Sequence, residues 1–308
     1  MREGVESKIS KGETAMARIH LVIVDPQTDF CAEGFPGYDP TNPDPNLFLD
    51  IAKRPGNLMV PGAATDMVRL AKVVEKCGKK IDDIYVTMDS HRTIHIAHAD
   101  FWEDDNKNNP IPFTVIQKTD IIGKNPKWHT HNPGDQKWGE EYVAALEKRG
   151  RNSLCIWPKH CLIGSHGWQV YPPLYQALKK YEEEEWATIN WLVKGDDPYT
   201  EWYSAVMADV PIPKNTKTML NTDFIDNFKK ADLILFAGEA LSHCVKASFE
   251  DTFNTLGDKA VKKFMLITDA TSSVPVPCFV KDAEAFVKKY TALGMKTCTT
   301  MDLINSGI

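Results

Sequence analysis

With 308 residues, 43% hydrophobic and 25% charged side chains and a net charge of −6, the chain is long enough to fold around one large core. The acidic balance leaves no footprint for nucleic acid, and no apolar run reaches the roughly 20 residues that cross a bilayer. A polar start over residues 1–17 lacks the apolar centre of a secretory signal, so a cytoplasmic protein is expected; its seven cysteines are odd in number and lack C-x-x-C spacing, which argues for reduced thiols rather than a disulfide framework.

In chain order, apolar runs of strand length at 19–24, 84–88, 154–157, 188–193, 233–237 and 264–267 alternate with helix-period segments at 63–76, 140–148, 168–181, 222–230, 245–256 and 281–293. This alternation predicts an α/β fold with a mainly parallel central sheet and crossover helices, a single domain over 18–308 behind the polar extension. Insertions near 35–61, 100–153 and 195–221 break the rhythm. Those that follow strand ends can wall or cover a cleft, or serve as surface elaboration or homo-oligomer contact.

Open α/β sheets keep their chemistry at the carboxyl ends of the strands. The first run ends in Asp25, followed by Pro26, which removes a donor and stiffens the exit. A carboxylate there serves as a base or merely as a turn cap. The second run ends in Asp89-Ser90-His91, whose i and i+2 side chains share one face of an extended strand and can converge on an ion, or simply hydrogen-bond. A third ligand is open among His95, His98 and His160, the last following the run at 154–157. Carboxylate with imidazole suits Zn²⁺, Fe²⁺ or Mn²⁺ better than Ca²⁺.

Lys194 ends the fourth run, as a site ammonium or an ordinary surface lysine. After the fifth run comes Gly238-Glu239-Ala240-Leu241-Ser242-His243-Cys244-Val245-Lys246. A cysteine at a strand-turn-helix corner gains from the free N–H groups of the helix start, although a lone cysteine also serves as a small buried side chain. Carboxylate, ammonium and thiol have complementary roles, since one takes a proton, one holds charge and one attacks carbon.

Together these segments resemble the nicotinamidase/pyrazinamidase branch of the isochorismatase-like cysteine hydrolases. The likeness rests on Val24-Asp25-Pro26-Gln27-Thr28-Asp29-Phe30, Thr87-Met88-Asp89-Ser90-His91, Trp157-Pro158-Lys159-His160-Cys161-Leu162-Ile163-Gly164, Lys194-Gly195 and the 238–246 segment, in the family's order. The resemblance implies a three-layer α/β/α sandwich, a triad of Asp25, Lys194 and Cys244, and one divalent metal ion on Asp89, His91 and His160. It implies a cis peptide at Glu239-Ala240, an oxyanion hole from the Ala240 and Cys244 N–H groups, and Phe30 and Trp157 as walls for a planar ring. The implied substrate is a small-molecule amide, nicotinamide, cleaved through a thioester to nicotinate and ammonia with the metal on the ring nitrogen, a reaction of NAD metabolism. Related amides, carbamoyl compounds or a non-catalytic binding role on the same fold are the alternatives. The chain departs from the family in its length and in Glu239 and Leu241 before the nucleophile.

Overall fold

The computed structural model describes residues 17–34, 54–150 and 153–308. Apart from Ala17, the polar extension expected over 1–17 lies outside the described residues, as does most of the 35–61 insertion.

The centre is a six-stranded sheet of β1 (Ile19–Val24), β2 (Asp83–Asp89), β3 (Asn190–Lys194), β4 (Leu233–Gly238), β5 (Phe264–Ile267) and β6 (Lys296–Cys298). Its order is β6-β5-β4-β1-β2-β3 and every pairing is parallel. β1 is buried at every position, as a continuous apolar run in a central parallel strand requires. Register sets the chemistry: Val24 pairs with Gly238, and Asp89 pairs with Lys194, so the polar residues ending three apolar runs lie side by side at one sheet edge.

Helices α1 (Ala63–Cys77), α2 (Gln136–Arg149), α3 (Pro172–Glu185), α4 (Thr222–Lys229), α5 (Lys246–Leu256), α6 (Pro277–Leu293) and α7 (Thr300–Ser306) flank the sheet. α1 packs with α3 and α7, and α4 with α5. Phe249 of α5 meets Phe286 and Tyr290 of α6 with ring centroids 5.2 and 4.8 Å apart. Among the described residues no helix is long and apolar enough to cross a membrane.

Three expectations need correction. The run at 154–157 is not a strand of the central sheet: Leu154–Cys155 pairs antiparallel with Val115–Ile116, and Trp157 then bridges to His98. The run is apolar because the 100–153 insertion covers it, and hydrophobicity alone does not name a strand's partner. The sixth strand is instead Lys296–Cys298, an exposed three-residue edge with no apolar run to betray it. Helix starts also move: prolines occupy the first turns of α3 and α6, placing their beginnings at Pro172 and Pro277 rather than 168 and 281.

Candidate active site

Four adjacent strand ends supply the site. Asp25 follows β1 with φ +43°, a left-handed conformation that aspartate tolerates better than a branched side chain would. Asp89 closes β2, Lys194 closes β3, and β4 feeds the Glu239–Ala240 peptide, which is cis as the resemblance implied. Gly238 makes that exit feasible: its φ is +108° and a Cβ would stand 2.0 Å from the Val24 carbonyl oxygen. A single π-helical turn, Leu241–Val245, then brings Cys244 back over the sheet edge.

Lys194 is the hub. Its Nζ lies 2.8 Å from Asp25 Oδ2, 3.0 Å from Asp89 Oδ1, 3.0 Å from the Trp202 carbonyl oxygen and 3.6 Å from Cys244 Sγ. Burial alone favours a neutral amine, but the Asp25 and Asp89 carboxylates outweigh it and hold the ammonium well above its usual range. Burial also pushes the Asp25 carboxyl up, against the pull of Lys194, and pushes the Cys244 thiol well up. The thiol therefore keeps its proton at rest, facing Asp25 as its hydrogen-bond acceptor. Thr87 Oγ1 donates to Asp25 Oδ1 at 2.5 Å, whereas buried Oδ2 is held by the Lys194 ion pair and remains open to accept a proton.

Beside this triad, Asp89 Oδ2 lies 3.0 Å from His91 Nε2 and 3.2 Å from His160 Nε2, and all three side chains are buried. His160 Nδ1 sits 2.8 Å from the Pro158 carbonyl oxygen, which assigns the ring proton to Nδ1 and leaves the Nε2 lone pair facing a carboxylate oxygen. Two acceptors opposed in a buried site fit a cation held between them, so the donor set fits the expected divalent ion. His91, His95 and His98 form a second group of converging ring nitrogens. His95 is engaged at both nitrogens, by the Thr200 carbonyl and the Ala97 N–H, each at 3.2 Å, and the group has no anionic member. The first set is the better divalent-cation site.

A small pocket opens onto Cys244 and His160, lined by Phe30 and Trp157, the two residues that the resemblance implied as walls, and also by Ala240. Phe30 meets the His160 ring edge-on at 5.4 Å. Sequence reasoning missed Glu201, Tyr203 and His243 in the same wall. Tyr203 accepts from Trp157 Nε1 at 2.9 Å, fixing the tryptophan's plane. Gln27, two residues after Asp25, was missed as well. Its amide nitrogen donates to the Asp89 carbonyl at 2.7 Å and its oxygen accepts from the Asp89 N–H at 2.7 Å, clamping the end of β2. No periodicity marks Glu201 or Tyr203, which lie in the 195–221 insertion.

No protein-family model matches the chain, and no curated protein matches it in sequence. Its fold is nevertheless that of solved nicotinamidases. It matches a nicotinamidase/pyrazinamidase from Acinetobacter baumanii with TM-score 0.55 and 20% identity over 94% of this chain and 100% of that one. Yeast nicotinamidase matches with TM-score 0.54 and 19% identity, over 91% of this chain and 98% of that one. PnC1 from L. infantum in complex with nicotinate matches with TM-score 0.53 and 17% identity, over 93% and 95% of the respective chains.

Proposed function

We propose that the protein is a cysteine amidohydrolase that converts nicotinamide to nicotinate and ammonia. The observation that carries this reading is the single ammonium, Lys194 Nζ, lying 2.8 Å from the Asp25 carboxylate and 3.6 Å from Cys244 Sγ at the floor of a pocket walled by Phe30 and Trp157. A buried, protonated thiol is a poor nucleophile until its proton has somewhere to go, and Asp25 Oδ2 is that place.

In the first half-reaction the thiol proton passes to Asp25 as Sγ bonds to the carboxamide carbon. Lys194 keeps the developing thiolate and the carboxylate from repelling each other. The carbonyl oxygen gains negative charge, which the N–H groups of Ala240 and Cys244 stabilise from the turn. When the C–N bond breaks, Asp25 returns the proton to nitrogen and ammonia leaves. A water then gives its proton to Asp25 as it attacks the thioester, the C–S bond breaks, and the proton returns to sulfur with release of the acid. Phe30 and Trp157 hold the ring so that the carbonyl carbon meets Sγ at near-attack distance. A divalent ion, Zn²⁺, Fe²⁺ or Mn²⁺, held by Asp89, His91 and His160 would supply a Lewis-acid anchor for a ring nitrogen.

The names of the structural neighbours support nicotinamide as the substrate, and the converging Asp89, His91 and His160 donors support it over an amide without a ring nitrogen. The test is ammonia release from nicotinamide, pyrazinamide and benzamide by metal-loaded and chelated protein. Nicotinamide and pyrazinamide are expected to turn over and to lose at least about tenfold in kcat/KM on chelation. Equal turnover of benzamide, unaffected by chelation, would instead assign a metal-independent hydrolase of another small amide. No ammonia from any of them would assign a binding role.

A further inference from the structure

Behind the turn that carries Ala240 lies a set of buried polar groups with no part in the steps above. Glu239 is fully buried and Asp66 of α1 nearly so. Ser272 ties them together: its N–H donates to Glu239 Oε2 at 3.2 Å, its hydroxyl donates to Asp66 Oδ2 at 2.5 Å, and its carbonyl accepts from the Leu241 N–H at 2.8 Å. Arg69 donates to Asp66 Oδ1 and to the Asp269 carbonyl, each at 3.2 Å. One atom is left over. Glu239 Oε1 is buried and meets no donor among the described residues, although the Glu239 and Asp66 carboxyls lie within hydrogen-bonding reach of each other. Two carboxylates at that range repel strongly in a buried site, and a proton between them removes both the repulsion and the orphaned oxygen.

We propose that Glu239 and Asp66 share a single proton, and that this acid–carboxylate pair, joined by Ser272, is the positioning device that holds the 239–241 turn and aims the Ala240 N–H at the reacting carbonyl. Burial raises both carboxyls, Glu239 furthest because Asp66 adds to the effect, so Glu239 carries the proton. The charged and titratable groups facing the pair are Arg69 and Asp269 on the Asp66 side and the Cys31 thiol, itself pushed well up by burial and uncharged. Raised carboxyls contribute stability that is complete below their ordinary range and is lost as pH rises through the folded values. The turn is therefore held while the pair keeps its proton and loses that tie as pH rises through the folded pKa of Glu239.

For its catalytic consequence this inference rests on the amidohydrolase reading; for the proton itself it does not. Infrared spectra of the whole protein at neutral pH are expected to show the C=O stretch of a protonated carboxylic acid, shifted in heavy water, that is missing from Glu239→Gln. A difference spectrum containing only carboxylate bands would overturn the shared proton. Kinetically, the glutamine amide can donate to Asp66 and accept from Ser272, so Glu239→Gln is expected to keep kcat within about twofold and to lose the decline in kcat that accompanies deprotonation of the pair as pH rises. Glu239→Ala is expected to lower kcat on the order of tenfold with KM within about twofold, because an oxyanion donor acts in the transition state. Alanine and glutamine variants with the wild-type kcat and pH profile would overturn the positioning role. If no amide is turned over, alkylation of Cys244 by iodoacetamide reads the turn instead: a rate altered at least about threefold in Glu239→Ala and restored in Glu239→Gln supports the role, and unchanged rates in both overturn it.

Discussion

Lys194 compensates two carboxylates that would otherwise stand side by side without water. Replacing it by methionine keeps most of the volume and removes the charge, leaving the buried Asp25 carboxylate without its cation and Asp89 with its histidine partners alone. The expected cost is roughly 3 to 5 kcal/mol in denaturant unfolding, as for other buried pairs broken on one side. A variant as stable as the parent would show that the carboxylates find another partner. Thr87 makes a finer test. Its hydroxyl donates to Asp25 Oδ1 and opposes the rise that burial imposes. Asp25 must be ionised to take the thiol proton, so activity falls as pH drops through its folded pKa. Thr87→Val removes a bond that lowers that pKa, and the acid limb of kcat/KM is expected to move to higher pH; movement to lower pH would remove Asp25 from the role of base.

At the scale of elements, the site depends on how strands stop. The exit of β4 requires glycine at position 238, where a Cβ would meet the Val24 carbonyl oxygen at 2.0 Å and the backbone φ is +108°. Gly238→Ala is expected to destabilise the fold by about 3 kcal/mol or more, read as a lowered denaturant midpoint, and an unchanged midpoint would mean that the β1–β4 spacing is loose. Strand ends are also what the sequence makes legible. A polar residue terminating an apolar run is visible without coordinates, and Asp25, Asp89 and Lys194 are all of that kind. The third ligand is open among His95, His98 and His160 on residue chemistry alone. His160 converges on Asp89 because the Pro158 carbonyl takes its other nitrogen, a contact that no spacing rule encodes. The 154–157 run misleads for a related reason, since burial under an insertion and burial within a sheet leave the same apolar signature.

Across the whole molecule, the parallel sheet is legible because alternating strand and helix periods permit few other arrangements. The cavity wall is not. Glu201 and Tyr203 come from the 195–221 insertion, where neither period nor turn chemistry points inward, and they reach the site only because the segment folds back over β3 to present the Trp202 carbonyl to Lys194. Two of the departures from the resembled family meet at the site, the 195–221 insertion in the pocket wall and Glu239 at the turn before Cys244. In the proposed reaction the triad comes from strand ends, and part of the pocket wall comes from the 195–221 segment.

The most direct test of the central claim is the intact mass of the metal-loaded protein, rapidly quenched in acid during turnover of nicotinamide. A population heavier by one nicotinoyl group, mapped to Cys244 and absent from Cys244→Ala, which binds metal but releases no ammonia, is the expected result. Ammonia released by Cys244→Ala at the parent's rate, or an acyl group carried on any other residue, would contradict it.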